Sequence, residues 1–188
     1  MKKTALIVVD VQNDFCPGGS LAVQEGDKII PPINRMIEWF QKANLPLFFT
    51  RDWHPEKHIS FVDQGGPWPI HCVQNSPGAE FHPGLQLPET VTIINKGYLI
   101  NDDSYSGFQG TDLATQLNDI DVDSVYVCGL ATDYCVKETV LDALKKGYQV
   151  KVVKDAIRAV DVTVGDSEKA IKEMRDKGAQ IVSKAAVI

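Results

Sequence analysis

Residues 124–144, SVYVCGLATDYCVKETVLDAL, decide the fold because a strand pattern meets a helix pattern within them. The β-branched and aromatic run at 125–127 predicts a short buried strand. From Cys135 to Leu144, apolar residues recur at helical spacing. The chain must therefore turn sharply between the two elements, and Thr132 and Asp133 are expected to cap the new helix by accepting its free N–H groups.

Cys135 lies in the first turn of this predicted helix. The helix N-terminus favours a thiolate there, and nearby backbone N–H groups can stabilise an oxyanion formed on the group that the sulfur attacks. These are the requirements of a cysteine nucleophile. The alternative interpretation is a buried structural cysteine on an amphipathic helix, and this stretch alone does not exclude it.

Strand and helix patterns alternate along the whole chain. Besides residues 124–144, the patterns predict strands at 4–9, 45–50, 91–95, 149–153 and 180–182, and helices at 33–43, 111–117 and 167–177. Six strands alternating with helices predict a mostly parallel sheet covered on both faces, which is a three-layer α/β/α sandwich. A length of 188 residues suits a single domain spanning 1–188.

Charge and composition limit the expected partners. The chain has 19 Lys and Arg against 25 Asp and Glu, a net charge of −6, and no basic cluster, which argues against a nucleic-acid or anionic-membrane surface. We therefore expect a small-molecule partner. The N-terminal apolar run meets Asp10 too early for a signal peptide, and no apolar stretch approaches the roughly 20 residues of a membrane helix. Four irregularly spaced cysteines do not resemble a disulfide framework, so a cytoplasmic location is expected.

Polar residues follow the predicted strands at their carboxyl ends. Asp10 follows the first strand, Arg51 and Asp52 the second, Lys96 the third, and Cys135 the fourth. A parallel sheet binds its ligand at this edge, so these side chains are expected to face one crevice. Taken singly, Asp10 could be a loop cap and Lys96 a surface lysine. Together, a carboxylate, an ammonium and a thiol supply an acid/base, a cation that keeps the base ionised, and a nucleophile.

A candidate metal site lies in the long irregular stretch that starts at residue 51. Asp52 and His54 are two apart, so in an extended segment both side chains point to one side, and His71 returns after a Gly-Gly-Pro turn. One carboxylate and two imidazoles form an open catalytic site for Zn, Fe or Mn. The alternative is a loop with merely polar histidines. His58 is either a further ligand or a supporting residue, and the sequence leaves this open.

Six motifs together resemble one enzyme family. They are DVQNDFCPGG (10–19), RDWHPEKHISF (51–61), GPWPIHC (66–72), NKGY (95–98), YSGF (105–108) and GLATDYCVKETVLDA (129–143). As a set they resemble the isochorismatase-like hydrolases, in their nicotinamidase/pyrazinamidase branch. The resemblance extends from the first predicted strand to the last predicted helix.

This resemblance implies a role for each matching residue. The implied catalytic triad is Asp10, Lys96 and Cys135, and the implied ligands of one divalent ion, foremost zinc, are Asp52, His54 and His71. The implied substrate slot has walls at Phe15, Leu21, Trp68, Tyr105 and Tyr134, and the N–H groups of Ala131 and Cys135 form its oxyanion hole. For Tyr134, ordinary core packing is an equal alternative. A cis peptide is implied between Leu130 and Ala131.

The implied reaction is hydrolysis of nicotinamide, or of pyrazinamide, through a thioester on Cys135, as a step in NAD salvage by a homo-oligomer. Three alternatives stay open. The first is a family member that hydrolyses a different amide or a carbamoyl compound, or an isochorismatase, which needs neither metal nor cysteine. The second is a non-haem iron oxygenase, which also uses two histidines and one carboxylate but gives Cys135 and Lys96 no role. The third is a non-catalytic metal-binding scaffold.

Overall fold

A computed structural model of the protein describes residues 3–183 and contains one six-stranded sheet. Its strands are β1 (Lys3–Val9), β2 (Leu47–Asp52), β3 (Thr92–Lys96), β4 (Val122–Leu130), β5 (Gln149–Arg158) and β6 (Gln180–Val182). They lie in the order β3-β2-β1-β4-β5-β6, and every neighbouring pair is parallel. The predicted parallel sheet is confirmed.

Helices cover both faces of the sheet, as predicted for a three-layer sandwich. They are α1 (Ile30–Lys42), α2 (Leu113–Asp119), α3 (Lys137–Lys145) and α4 (Asp166–Asp176). Helix α1 packs on one face, against Leu6 and Val8 of β1, and the other three helices share a core with Ala5 and Ile7 on the opposite face. Within residues 3–183, no helix combines the length and apolarity that crossing a membrane requires.

Strand β5 is longer than its sequence pattern predicts. The apolar pattern ends near residue 153, because Lys154 and Asp155 interrupt it, yet the strand continues to Arg158. A shift of register in the β4–β5 pairing allows this, and Ile157 pairs with Gly129 beyond the irregularity. Tertiary pairing, rather than local propensity, extends the strand.

The connection from β4 to α3 differs from the predicted helix start. Residues Thr132–Val136 form a π-helical turn, and the regular helix begins only at Lys137. The prediction that Thr132 and Asp133 cap this helix is wrong, since no side chain caps either segment. The carboxylate of Asp133 instead accepts the N–H groups of Val160 (3.0 Å) and Asp161 (2.9 Å).

Candidate active site

The carboxyl ends of three strands bring together the carboxylate, the ammonium and the thiol. Asp10 follows β1, Lys96 ends β3, and Cys135 lies in the π-helical turn after β4. The Lys96 ammonium lies 2.9 Å from Oδ2 of Asp10 and donates to the sulfur of Cys135 at 3.3 Å. Asp10 and Lys96 are fully buried, and Cys135 is buried and lines a slot. The three residues therefore form one cluster.

Two further side chains join this cluster. The hydroxyl of Thr50, in β2, donates to Oδ1 of Asp10 at 2.6 Å, and Oδ1 of Asp52 contacts the Lys96 ammonium. Arg51, which was expected to face the same crevice, does not. Alternate side chains of a strand point to opposite faces, so Arg51 points away from the side that Asp52 faces. Its guanidinium lies 3.8 Å from the centre of the Trp53 ring.

The charges of the cluster fix its protonation. Burial acts to lower the pKa of Lys96, but the carboxylates of Asp10 and Asp52 outweigh it and raise that pKa well above its ordinary value. Burial raises the pKa of Asp10, although the charge of Lys96 opposes this. Lys96 is therefore a permanent cation beside an acid whose proton affinity is increased, which suits a group that must take up and release a proton.

Burial of Cys135 acts against ionisation of its thiol. Burial raises the pKa of its thiol well above the ordinary value, and the opposing charge of Lys96 does not compensate. The favourable effect expected of the helix N-terminus is therefore opposed by burial and supported by the charge of Lys96. The sulfur, a carboxylate oxygen of Asp10 and one of Asp52 lie within 4.8 Å of one another. Asp10 is therefore placed to accept the thiol proton when the sulfur attacks.

A second group of side chains has the composition of a metal site. One ligand atom each from Asp52, His54 and His71 lies within 4.8 Å of the others, and all three residues are buried. Nδ1 of His54 donates to the carbonyl of Gly97 at 2.9 Å, and Nδ1 of His71 donates to that of Pro69 at 2.7 Å. Because a carbonyl only accepts, Nδ1 carries the proton in both rings, and Nε2 keeps its lone pair for a metal.

The charge of Asp52 agrees with this arrangement. Burial acts to raise the pKa of Asp52, but the charge of Lys96 prevails and holds it below its ordinary value. An ionised carboxylate and two imidazoles with oriented N–H groups fit a divalent ion of the zinc type, with positions left for water or substrate.

His58 supports the neighbouring ring in this structure. Its Nε2 donates to the carbonyl of Asp102 at 3.1 Å, so its Nδ1 accepts, from the hydroxyl of Ser60 at 2.7 Å. Its ring stacks on that of His54 with centroids 4.1 Å apart. Both nitrogens of His58 are thus engaged, and the ring fixes the orientation of His54.

A narrow apolar slot opens onto both groups. It is lined by Phe15, Leu21, Trp68, Tyr105, Ala131, Tyr134 and Val160, together with Asp52, His71 and Cys135. The structure thus brings all six residues of the expected substrate site together beside the nucleophile. The Trp68 indole donates to the Tyr105 hydroxyl at 2.9 Å, and burial raises the pKa of Tyr105 to about 12, so the phenol stays neutral. The peptide between Leu130 and Ala131 is cis, as the resemblance implied.

Val160 is the wall residue that the sequence analysis did not identify. It belongs to no motif and lies just beyond β5, where the strand continues past its predicted end. Asp133 holds it in place through the backbone hydrogen bond described above. Only the extended β5 and this long-range contact bring Val160 to the slot, and neither leaves a pattern in the sequence.

Comparison with known proteins identifies the family. A model of the isochorismatase domain matches residues 4–186. The chain belongs to the isochorismatase family. It is 43% identical to the nicotinamidase of Escherichia coli (strain K12), covering 98% of this chain and 97% of that protein. It is 39% identical to the nicotinamidase/pyrazinamidase of Mycobacterium tuberculosis, covering 95% and 97%.

Solved structures of family members superpose closely. The pyrazinamidase of Pyrococcus horikoshii in complex with zinc has a TM-score of 0.93 and 52% identity, covering 96% of this chain and 99% of that one. PnC1 from L. infantum in complex with nicotinate has a TM-score of 0.89 and 38% identity, covering 98% and 94%. The fold and the chain length of these family members thus match those of this protein.

Proposed function

We propose that this protein is a metal-dependent nicotinamidase, which hydrolyses nicotinamide to nicotinate and ammonia and also accepts pyrazinamide. One observation carries the proposal: Cys135, which contacts Lys96 and through it Asp10, lines an aromatic slot that also reaches Asp52 and His71. The names of the relatives at 43% and 39% identity support the same substrate class. The reaction returns nicotinamide to NAD salvage.

The first half of the reaction transfers the acyl group to the enzyme. Asp10 takes the thiol proton of Cys135 as the sulfur attacks the carboxamide carbon, and the Lys96 ammonium stabilises the developing charge on sulfur. Backbone N–H groups at Ala131 and Cys135 hold the oxyanion of the tetrahedral intermediate. Asp10 then passes its proton to the leaving nitrogen, and the C–N bond breaks to give ammonia and a thioester on Cys135.

The second half releases the acid. Asp10, again a carboxylate, takes a proton from a water molecule that attacks the thioester carbon. The carbon–sulfur bond breaks, the sulfur of Cys135 takes the proton back from Asp10, and the acid leaves as nicotinate after losing its carboxyl proton to solvent. Asp10 thus acts alternately as base and acid. It remains beside the buried ammonium of Lys96 throughout both halves of the reaction.

Asp52, His54 and His71 would hold one divalent ion, for which zinc is the first choice because of the donor set and the zinc complex of the relative at 52% identity. When bound, this ion supplies a Lewis acid for the in-plane lone pair of a pyridine or pyrazine nitrogen. The slot itself contributes orientation: aromatic walls at Phe15, Trp68 and Tyr134 exclude water and hold a flat ring with its carboxamide toward the sulfur.

The direct test is ammonia release from nicotinamide by the purified protein, before chelation, after chelation, and after the return of zinc. Loss of release followed by recovery supports both the cysteine cluster and the metal site. Rapid release that ignores chelation would keep the cluster but remove the metal from the mechanism. Absence of release from the zinc-loaded protein would contradict the proposed substrate, and other small amides would be assayed next.

A further inference from the structure

Residues 12–14, which follow β1, reach both the end of β2 and the long loop after it. The segments that they contact carry the side chains of the proposed metal site. Gln12 bonds to the backbone of a proposed ligand, Asp14 bonds to the backbone next to another, and Asn13 bonds to backbone elsewhere. Asn13 therefore offers a comparison that distinguishes support of the metal ligands from general packing of the segment.

Gln12 holds the backbone of Asp52. Its Oε1 accepts the N–H of Asp52 at 2.8 Å, and its Nε2 donates to the carbonyls of Asp52 and Ala79, both at 2.9 Å. The side chain is fully buried. Both polar groups of the Asp52 backbone are thus bonded to one carboxamide from a residue 40 positions away, which fixes the direction in which the Asp52 carboxylate leaves the chain.

Asp14 holds the backbone next to His71. Its Oδ2 accepts the N–H of Cys72 at 2.7 Å, and its Oδ1 accepts that of Ser20 at 3.3 Å. Cys72 has a φ of +47°, in the left-handed region that residues other than glycine rarely adopt. Such a conformation requires support from its surroundings, and the carboxylate of Asp14 supplies it directly after the proposed ligand.

Gly78 shows how closely this carboxylate is enclosed. A Cβ at residue 78 would lie 2.1 Å from Oδ2 of Asp14. The loop therefore passes Asp14 with no room for a side chain, and the carboxylate is confined to the place where it meets the Cys72 N–H.

We propose that Gln12 and Asp14 are positioning residues that determine the metal affinity of the site without touching the metal. The inference rests on the proposed metal site. A metal ion binds more tightly when its ligands are already at their coordination distances. Residues that fix the backbone of two ligand-bearing segments therefore increase the affinity for the metal by preorganisation. Loss of such support typically weakens metal binding by about 10- to 100-fold.

The experiment measures the zinc dissociation constant of the full chain after metal removal, by competition with a chromophoric chelator. Asp14→Ala and Gln12→Met are expected to bind zinc about 10- to 100-fold more weakly than the unchanged protein. Asn13→Ala is the matched control, because the Asn13 side chain donates to the carbonyl of Pro77, which is not adjacent to a proposed ligand. The control is expected to bind zinc normally.

Two readouts separate positioning from unfolding. Circular dichroism of the metal-free variants should match that of the unchanged protein, and saturating zinc should restore the kcat of Asp14→Ala. A kcat that stays low at saturating zinc would overturn the positioning role and indicate general damage to the site.

Gly78→Ala tests the Asp14 contact without altering Asp14. The new Cβ must displace the carboxylate, so zinc affinity should fall about as far as in Asp14→Ala. The double variant that combines Asp14→Ala with Gly78→Ala should bind zinc no more weakly than either single variant, because both changes break the same contact. Losses that add would overturn the role of Asp14.

The outcomes also distinguish this inference from the proposed function. If the unchanged protein binds one zinc and Asp14→Ala and Gln12→Met bind it as tightly, the inference is overturned and the nicotinamidase proposal stands. If the unchanged protein binds no zinc, the metal site fails and the inference fails with it, whereas ammonia release independent of metal would still support the cysteine cluster.

Discussion

The ammonium group of Lys96 lies 3.3 Å from the sulfur of Cys135, although the residues are 39 positions apart in the chain. The same group pairs with Asp10 and contacts Asp52, and its side chain is fully buried. Lys96 is thus the common partner of the proposed nucleophile, the proposed base and one proposed metal ligand. Its charge offsets the repulsion of two buried carboxylates.

Lys96→Met should cost both activity and stability. The change leaves Asp10 and Asp52 without their shared cation, and breaking a buried ion pair from one side typically lowers the free energy of unfolding by about 3 to 5 kcal/mol. We expect kcat/KM for nicotinamide to fall at least about 100-fold. Urea unfolding of the metal-free protein measures the first effect. Lys172→Met, which removes an exposed ion pair, is the control and should change neither quantity.

Cys135→Ala should abolish amide hydrolysis and leave the metal bound. The thiol forms the proposed covalent intermediate, so kcat should fall at least about 1,000-fold, while the carboxylate and imidazoles of the metal site are untouched. Ammonia release and elemental analysis for zinc are the two measurements. Cys128→Ala, at a fully buried cysteine in the core below α1, should remain active. Comparable turnover by Cys135→Ala would refute the covalent mechanism.

Alkylation should distinguish the four cysteines. All four are free and buried, but only Cys135 among them lines the slot. Iodoacetamide should therefore add once to the native protein, at Cys135, and four times in denaturant, as measured by mass spectrometry. Equal labelling of Cys16 or Cys128 in the native state would contradict the slot assignment.

Val160→Ala should weaken substrate binding more than chemistry. The change widens the slot at Val160, which has no described contact with Asp10, Lys96 or Cys135. The KM for nicotinamide should therefore rise about 10-fold, while kcat changes little. Steady-state kinetics provide both constants. Val164→Ala, at a side chain that is 95% exposed, is the control. An unchanged KM in Val160→Ala would remove Val160 from the substrate site.

The sequence predicts the carboxyl ends of β1 and β3 well because each is an apolar run that stops at or just before a polar residue. Asp10 and Lys96 are therefore placed correctly from local pattern, and the alternation of Asp52 and His54 brings both into one metal-ligand group. Arg51 shows the limit of that argument: it lies at the same sheet edge, but the pleat turns it away from the crevice.

The features that the sequence does not predict depend on long-range contacts. The π-helical turn at Thr132–Val136 has the same apolar spacing as an ordinary helix, so nothing local marks it. Asp133 resembles a helix cap because a carboxylate beside a helix start usually is one, yet its partners lie 27 and 28 positions away. The position of Val160 follows from that same contact, which explains why both were missed together.

The strand order has a consequence for synthesis on the ribosome. Strand β1 emerges first, but its neighbour β4 follows so much later that Thr4 and Ser124, whose hydroxyls share a hydrogen bond, are 120 positions apart. Asp10 and Cys135 therefore come together only after most of the chain has been translated, and a nascent chain that ends before Cys135 cannot catalyse the reaction. Regained activity after dilution from denaturant consequently reports completion of the central sheet rather than the recovery of any one segment.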